Sequence, residues 1–280
     1  MRATAGTKPG QLSQARRTAR SIADKGNTDR LGGKVAVVTG AGGGIGRSIC
    51  LHYAAAGAVV LCADVNVNTA KQTAGEVKAR GGTAAAVECD VSDSAAAKAA
   101  VETAMRRFGA LHILVNNAAF FVPDATLPEL DEALFARSFA VNVTGPFLMS
   151  RWAIPHIARS GGGSIIHIAS QMGHVARRLQ ATYCATKSAL LLLAKGMALD
   201  HAPDGIRVNT LSPGGIATQG MADQWGDMET AEREWGARMH PLGRLGRVDE
   251  IARAAVFLAS EESSFVTGTD LLVDGGYTAL

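Results

Sequence analysis

Val35-Ala36-Val37-Val38-Thr39-Gly40-Ala41-Gly42-Gly43-Gly44-Ile45-Gly46 is the stretch that decides the fold. A short apolar, β-branched run ends in glycines, and Arg47–Ala56 then continues without Gly or Pro. That is the pattern of a buried strand, a tight turn and a helix. Glycines let such a turn bend sharply and approach a pyrophosphate, whose charge the helix N-terminus favours. A glycine-rich turn alone is weak evidence, but its position strengthens it. It follows the first strand, opens the first helix, and has Asp64 eighteen residues beyond Gly46 at the end of the second strand.

Outward from that turn, short β-branched runs alternate with longer amphipathic stretches. The strands fall at Lys34–Thr39, Val59–Ala63, Thr83–Glu88, His112–Asn116, Ser164–Ala169, Arg207–Leu211 and Thr269–Val273. Helices are expected over Gly44–Ala56, Val67–Arg80, Ser94–Phe108, Asp131–Arg159, Thr182–His201, more loosely Met221–Met239, and Val248–Ala259. Strands this apolar, most followed by a helix, imply an α/β domain with a doubly wound parallel sheet of about seven strands, covered by helices on both faces. No repeat, low-complexity tract or interdomain linker interrupts the chain after Gly33. A single domain over 31–280 is expected.

Residues 1–30 read differently. They carry seven Lys/Arg against two Asp, whereas the other 250 residues carry 21 basic and 23 acidic side chains. With only Leu12 and Ile22 as sizeable apolar anchors, this segment reads as a mobile basic arm. The basic excess belongs to the arm, so nothing in the body suggests nucleic acid. No apolar run reaches membrane-spanning length and no secretory core is present. Cys50, Cys62, Cys89 and Cys184 show no paired spacing, which points to core thiols in a reducing, cytoplasmic setting and to no metal site.

The chemistry lies in Ser170–Lys187. The strand Ser164–Ala169 ends at Ser170, and the helix that follows carries Tyr183 and Lys187 four residues apart, on one face. A phenol titrates near pH ~10, and lowering that by ~3 units takes roughly 4 kcal/mol of extra phenolate stabilisation. An ammonium a few Å away in a partly dry cleft is expected to supply much of it. Ser170 would donate a hydrogen bond to the same substrate oxygen. A bare Tyr-x-x-x-Lys is usually an ordinary helical pair; the strand-end serine and the other strand-end segments change that reading. Asp90 follows the third strand and Asn116-Asn117-Ala118 the fourth. Pro213-Gly214-Gly215-Ile216-Ala217-Thr218 follows the sixth, where a backbone NH and a hydroxyl could hold a carboxamide. Together they trace one crevice at the carboxyl edge of the sheet.

With these residues in place, Leu31–Leu280 closely resembles the short-chain dehydrogenase/reductase family. Thr39–Gly46, Asp90, Asn116–Ala118, Asn142, Ser170, Tyr183/Lys187 and Pro213–Thr218 stand in family order and spacing, and Val273-Asp274-Gly275-Gly276 resembles the family's closing turn. The resemblance implies a Rossmann-like fold, usually a homotetramer, acting on an alcohol or ketone. Tyr183 would be the general acid/base, Lys187 its electrostatic partner and a ribose ligand, and Ser170 the orienting donor. Asn142 would bend a helix and hold a water linked to Lys187. Cofactor contacts are expected from Gly40, Gly42, Gly44, Ile45, Gly46, Asp64, Asp90, Val91, Asn117, Ala118, Tyr183, Lys187, Pro213, Gly214, Ile216 and Thr218. A carboxylate at Asp64 would hold both ribose hydroxyls and repel a 2′-phosphate, which favours NAD over NADP. An NADP-linked reductase of 3-oxoacyl thioesters and a dinucleotide sensor without chemistry remain as alternatives.

Two departures mark this chain. Ala119 stands where the family more often has Gly, and Arg177-Arg178 replaces a small or prolyl segment before Tyr183. A guanidinium facing the cleft would suit an anionic substrate; a solvated or subunit-interface pair is the alternative. The stretch at about 216–240 carries Met221, Trp225, Met228, Trp235 and Met239 and reads as a lid over an organic substrate. Substrate contacts are expected from Phe120, Met172, Arg178 and Trp225.

Overall fold

The computed structural model describes residues 29–279, so all of the expected arm except Asp29 and Arg30 lies outside the described residues. Seven parallel strands form one sheet: β1 (Val35–Thr39), β2 (Val59–Asp64), β3 (Ala84–Glu88), β4 (Ile113–Asn116), β5 (Gly163–Ile168), β6 (Ile206–Pro213) and β7 (Asp270–Val273). Their order across the sheet is β3-β2-β1-β4-β5-β6-β7. The chain runs outward from β1 to β3 and then returns to place β4 on the other side of β1. The sheet therefore opens a crevice beyond the carboxyl ends of β1 and β4.

Burial on both faces explains why these strands read as continuous apolar runs. Val37 pairs with Leu61 on one side and Leu114 on the other. Those three, with Ile165 and Val208, pack under α3 (Ser94–Phe108), α5 (Gly145–Arg159) and α6 (Ala181–His201). The neighbours in sequence, Ala36 and Val38, turn to the opposite face. There they join α1 (Gly44–Ala55), α2 (Val67–Ala79) and α10 (Val248–Ala259). Period-two alternation thus serves two cores at once. Cys50, Cys62, Cys89 and Cys184 are buried and free.

Two expected helices are broken. Asp131–Arg159 divides into α4 (Glu132–Phe139), a π-helical turn at Ala140–Thr144, and α5. Pro146 has no NH for a continuous ladder, and a side chain on Gly145 would meet Val91 Cγ2 at 2.7 Å. Met221–Met239 is not one helix but α7 (Gln219–Trp225), α8 (Met228–Ala231), a π-turn at Glu232–Gly236 and the short α9 (Ala237–Met239). Gly226, at φ +90°, ends the first piece, and Asp227 caps the next by accepting from Thr230 N at 2.7 Å. No helix among the described residues is long and apolar enough to cross a membrane.

Candidate active site

A cavity of about 1000 Å³ lies along the carboxyl edge of the sheet. Gly40, Gly43, Gly44 and Ile45 line one end, and Met172, Met221, Trp225 and Trp235 the other. Ser170, Tyr183, Lys187 and Pro213–Ile216 lie between them.

The glycine end is held by backbone geometry. Gly40 and Gly44 adopt φ of +61° and +50°, which only glycine takes without strain. A Cβ on Gly46 would stand 2.1 Å from Gly40 O, so the helix can approach the turn only without one. The first residue before α1 is Gly43, with no side-chain cap, which leaves the helix N-terminal NH groups available to an anion. Asn117 Nδ2 donates to Thr39 O (2.9 Å) and Gly40 O (3.1 Å), bracing the turn from β4. Asp64 accepts from Gly42 N (2.8 Å) and Asn66 N (2.9 Å) through different oxygens. The cap of α2 is Asn66 itself, which accepts from Asn68 N. This uncapped, glycine-only cradle beside a fixed carboxylate fits the diphosphate and ribose of a dinucleotide.

Ala118, Pro213, Gly214, Ile216 and Thr218 complete that wall with Asn117. Thr218 caps α7, accepting from Met221 N at 3.2 Å, and its methyl lies 3.5 Å from where a Gly44 side chain would stand. Gly42, Gly46, Asp64, Asp90 and Val91 are not among the residues that line the cavity. Asp90 is engaged by Ser92 and by Arg137 at 3.1 Å, and these contacts, the Ser92 hydroxyl above all, hold its carboxyl below the usual range.

At the centre, Tyr183 and Lys187 are 7% and 2% exposed, and Ser170 is buried beside them. The Lys187 ammonium lies 5.6 Å from the Tyr183 ring centre and donates to Ile168 O at 2.7 Å. The Tyr183 ring stacks on Phe121, with centroids 4.8 Å apart. Proximity is as expected from the sequence, but its effect on the phenol is not. Burial raises the Tyr183 pKa, against the Ser170 hydrogen bond that lowers it. Burial also brings Lys187 down to about 8. Desolvation outweighs the Ser170 hydrogen bond, so burial favours the protonated phenol. Asn142 sits in the π-turn, fully buried. Its amide accepts from Phe120 N (2.7 Å) and donates to Phe120 O (2.9 Å) and Thr186 Oγ1 (3.2 Å). It thereby fixes the segment carrying Phe121 against α6.

The far end is built from side chains distant in sequence. Trp235 lies 6.0 Å from Trp225, 5.7 Å from Tyr277 and 6.3 Å from His240. Arg177 stands over the Trp235 ring at 5.3 Å and donates to Asp124 at 2.8 Å. Of the paired arginines, Arg177 lines the cavity, while Arg178 is exposed outside it. Leu179, at φ +65°, bends the chain between Arg178 and the helix. Of the paired phenylalanines, Phe121 lines the cavity and Phe120 packs into the core. Gln171 and Asp124 also line the cavity, and His240 and Tyr277 stand beside Trp235; nothing in the neighbouring sequence marks any of the four.

A family model described as "Enoyl-(Acyl carrier protein) reductase" matches residues 40–278. A crystal structure of a short-chain type dehydrogenase/reductase from Mycobacterium marinum superposes with a TM-score of 0.82 at 36% identity, covering 90% of this chain and 98% of that one. The chain belongs to the short-chain dehydrogenase/reductase family. Within it, cyclohexanol dehydrogenase of Acinetobacter sp. strain SE19 is 38% identical, over 90% of this chain and 98% of its own. D-threitol dehydrogenase of Mycolicibacterium smegmatis is also 38% identical, over 89% and 94%. As a member, the protein is a nicotinamide-linked oxidoreductase, and its glycine cradle and buried Ser/Tyr/Lys cluster occupy one continuous cavity.

Proposed function

We propose that this short-chain dehydrogenase/reductase transfers hydride between NAD and a secondary alcohol or its ketone. The observation that carries this reading is the single cavity holding the uncapped α1 terminus at one end and Ser170, Tyr183 and Lys187 at its centre. Bound NAD would supply the hydride acceptor or donor. The Tyr183 hydroxyl holds the proton exchanged with the substrate oxygen, and Ser170 hydrogen-bonds that same oxygen to fix its position. Lys187, one helical turn on, favours the phenolate once water and substrate dipoles relieve its burial. The aromatic wall of Trp225 and Trp235, backed by the contact of Tyr277 with Trp235, suits a compact, largely apolar ring, as the name of the cyclohexanol relative suggests.

Two observations support NAD over NADP. The Asp64 carboxylate sits against Gly42, where a 2′-phosphate would meet its charge, and the nearby Arg47 is committed to Glu76 at 2.6 Å. An NADP-linked acyl-thioester reductase is the second reading, favoured by the description of the matching family model. We also infer one catalytic domain over 31–280 with a lid at about 216–240, a cytoplasmic setting and a homotetramer. Leu192 and Leu199, 73% and 79% exposed on α6, are apolar surface that a second copy would cover.

Dinucleotide affinities and nicotinamide absorbance with a panel of cyclic alcohols test the proposal. NAD should bind at least ~10-fold more tightly than NADP, and Asp64→Ser should erase that margin. Tyr183→Phe should lower kcat by ~10³-fold with little change in NAD affinity. Full turnover in Tyr183→Phe would overturn the assignment.

A further inference from the structure

Three groups meet where the segment after β6 faces the broken helical stretch 219–239. Gly215 and Trp235 both line the cavity. His240, only 4% exposed, packs against them and is not among the lining residues. Gly215 N donates to His240 Nε2 at 3.0 Å, and His240 Nδ1 stands 3.3 Å from Trp235 O. The indole closes the set. A Cβ on Gly215 would stand 2.4 Å from both Trp235 Cδ1 and Trp235 Nε1, and 3.0 Å from His240 Cε1, so only bare main chain fits between the two rings.

The partners of the imidazole dictate its state. A backbone NH can only donate, so Nε2 must carry a lone pair; a backbone carbonyl can only accept, so Nδ1 must carry the proton. His240 is therefore neutral and in a single tautomer, with both nitrogens engaged. Gly215 is held on its other side as well, where its carbonyl accepts from Gly246 N at 2.9 Å. Trp235 belongs to the π-turn Glu232–Gly236, and His240 N donates to Gly236 O at 3.3 Å. The imidazole thus joins a strand-end segment to a helical one through main-chain atoms on both sides. Exchange of the Trp235 side chain leaves that joint in place.

We propose that His240 is a positioning residue that sets the distance between the segment Pro213–Ile216, on which the nicotinamide side of NAD rests, and the aromatic wall of Trp225 and Trp235, against which the alcohol lies. This rests on the dehydrogenase reading above and adds to it a residue outside the cavity lining. Hydride transfer needs its two carbons in contact, and a displacement of about 1 Å costs on the order of 10²-fold in rate. Each end of the imidazole governs one reactant: the Nε2 bond the dinucleotide, the Nδ1 bond the alcohol.

The test separates the two ends. His240→Gln keeps an acceptor oxygen near the Nε2 position, His240→Asn keeps an NH near the Nδ1 position, and His240→Leu keeps neither. The NAD dissociation constant is measured by titration, and KM and kcat for cyclohexanol at saturating NAD. His240→Gln should hold the NAD constant within about twofold and raise KM about tenfold; His240→Asn should do the reverse. His240→Leu should raise both and lower kcat by on the order of 10²-fold. Thermal unfolding reports whether each variant is folded. Equal changes of both constants in His240→Gln and His240→Asn, or wild-type constants in a folded His240→Leu, overturn the inference while leaving the dehydrogenase reading intact. If no variant folds, the crystal structure of the wild type with NADH decides: both contacts should persist, and an imidazole turned away from either one overturns the inference. A wild type that oxidises no alcohol strikes the dehydrogenase reading instead, and the NAD constants of His240→Gln and His240→Asn then still decide whether His240 anchors Gly215.

Discussion

The two ends of the cavity are made by different means. At the glycine-rich end the walls are main chain: glycines at positive φ, an uncapped helix terminus, a Gly42 NH held by Asp64, and the Thr39 and Gly40 carbonyls held by Asn117. At the other end they are side chains from separate segments, with Trp225 and Trp235 of the broken helical stretch 219–239 meeting Arg177, and Tyr277 packed against Trp235. Main-chain walls leave little freedom, because a single Cβ in the wrong place collides with backbone. Side-chain walls tolerate exchange, because a smaller or longer residue changes the shape of the pocket before it disturbs the fold. That difference allows one scaffold to keep its cofactor while its substrate varies.

The contrast breaks most readily at Gly46. A methyl there would stand 2.1 Å from Gly40 O and 2.5 Å from Asn117 Nδ2, so Gly46→Ala should cost about 3 kcal/mol and lower dinucleotide affinity more than ~10-fold. Calorimetry and dinucleotide titration check this; wild-type values for both would mean that the turn is softer than its contacts indicate. At the other end, Trp235→Ala removes the ring shared by Trp225, Tyr277 and Arg177. It should raise KM for cyclic alcohols ~10-fold and leave the NAD dissociation constant within about twofold. A matching loss of NAD affinity would show that the two ends are not independent.

A smaller effect is expected at the rim. The Arg177 guanidinium is already neutralised by Asp124, which Gln180 also holds. It therefore acts as a tie between the Trp235 segment and the loop after β4 and not as a free anion site. Arg177→Ala and Asp124→Ala should each raise KM about threefold for neutral and acidic substrates alike, in keeping with a partly exposed ion pair. A loss in Arg177→Ala confined to acidic substrates would revive an anionic ligand.

The smallest effect is on stability with pH. Lys187 falls from 10.5 to about 8 on burial, so between those values the unfolded chain binds the extra proton and the folded one does not. Stability contributed at this site therefore rises with pH across that window. The unfolding midpoint of the wild type should climb relative to Lys187→Met between pH 8 and 10. A flat difference would indicate that the ammonium is better solvated than its burial implies.

Much of this was legible in the linear chain. All seven strands fell within one or two residues of their observed ends, because strands buried on both faces leave unbroken apolar runs. The Ser170, Tyr183 and Lys187 cluster was legible for a similarly local reason, one strand end and one helical turn. The break at Gly226 was less so, and the turn at Ala140–Thr144 was expected only through the family resemblance at Asn142, whose side chain the structure ties to Phe120. Phe121 over Phe120 and Arg177 over Arg178 were likewise decided by chain direction after β4 and before α6, which neighbouring letters do not encode.

By itself, then, the sequence determined the sheet, its switch point, the glycine turn and the side chains proposed to react. All of these follow from short-range periodicity and from residue types with a fixed conformational or chemical meaning. Only the tertiary structure decided the burial that favours a protonated Tyr183, the commitment of Arg177 to Asp124, and the joint that His240 makes between Gly215 and Trp235. Those depend on desolvation and on contacts between segments tens of residues apart, and neither quantity exists until the chain has closed around the cavity.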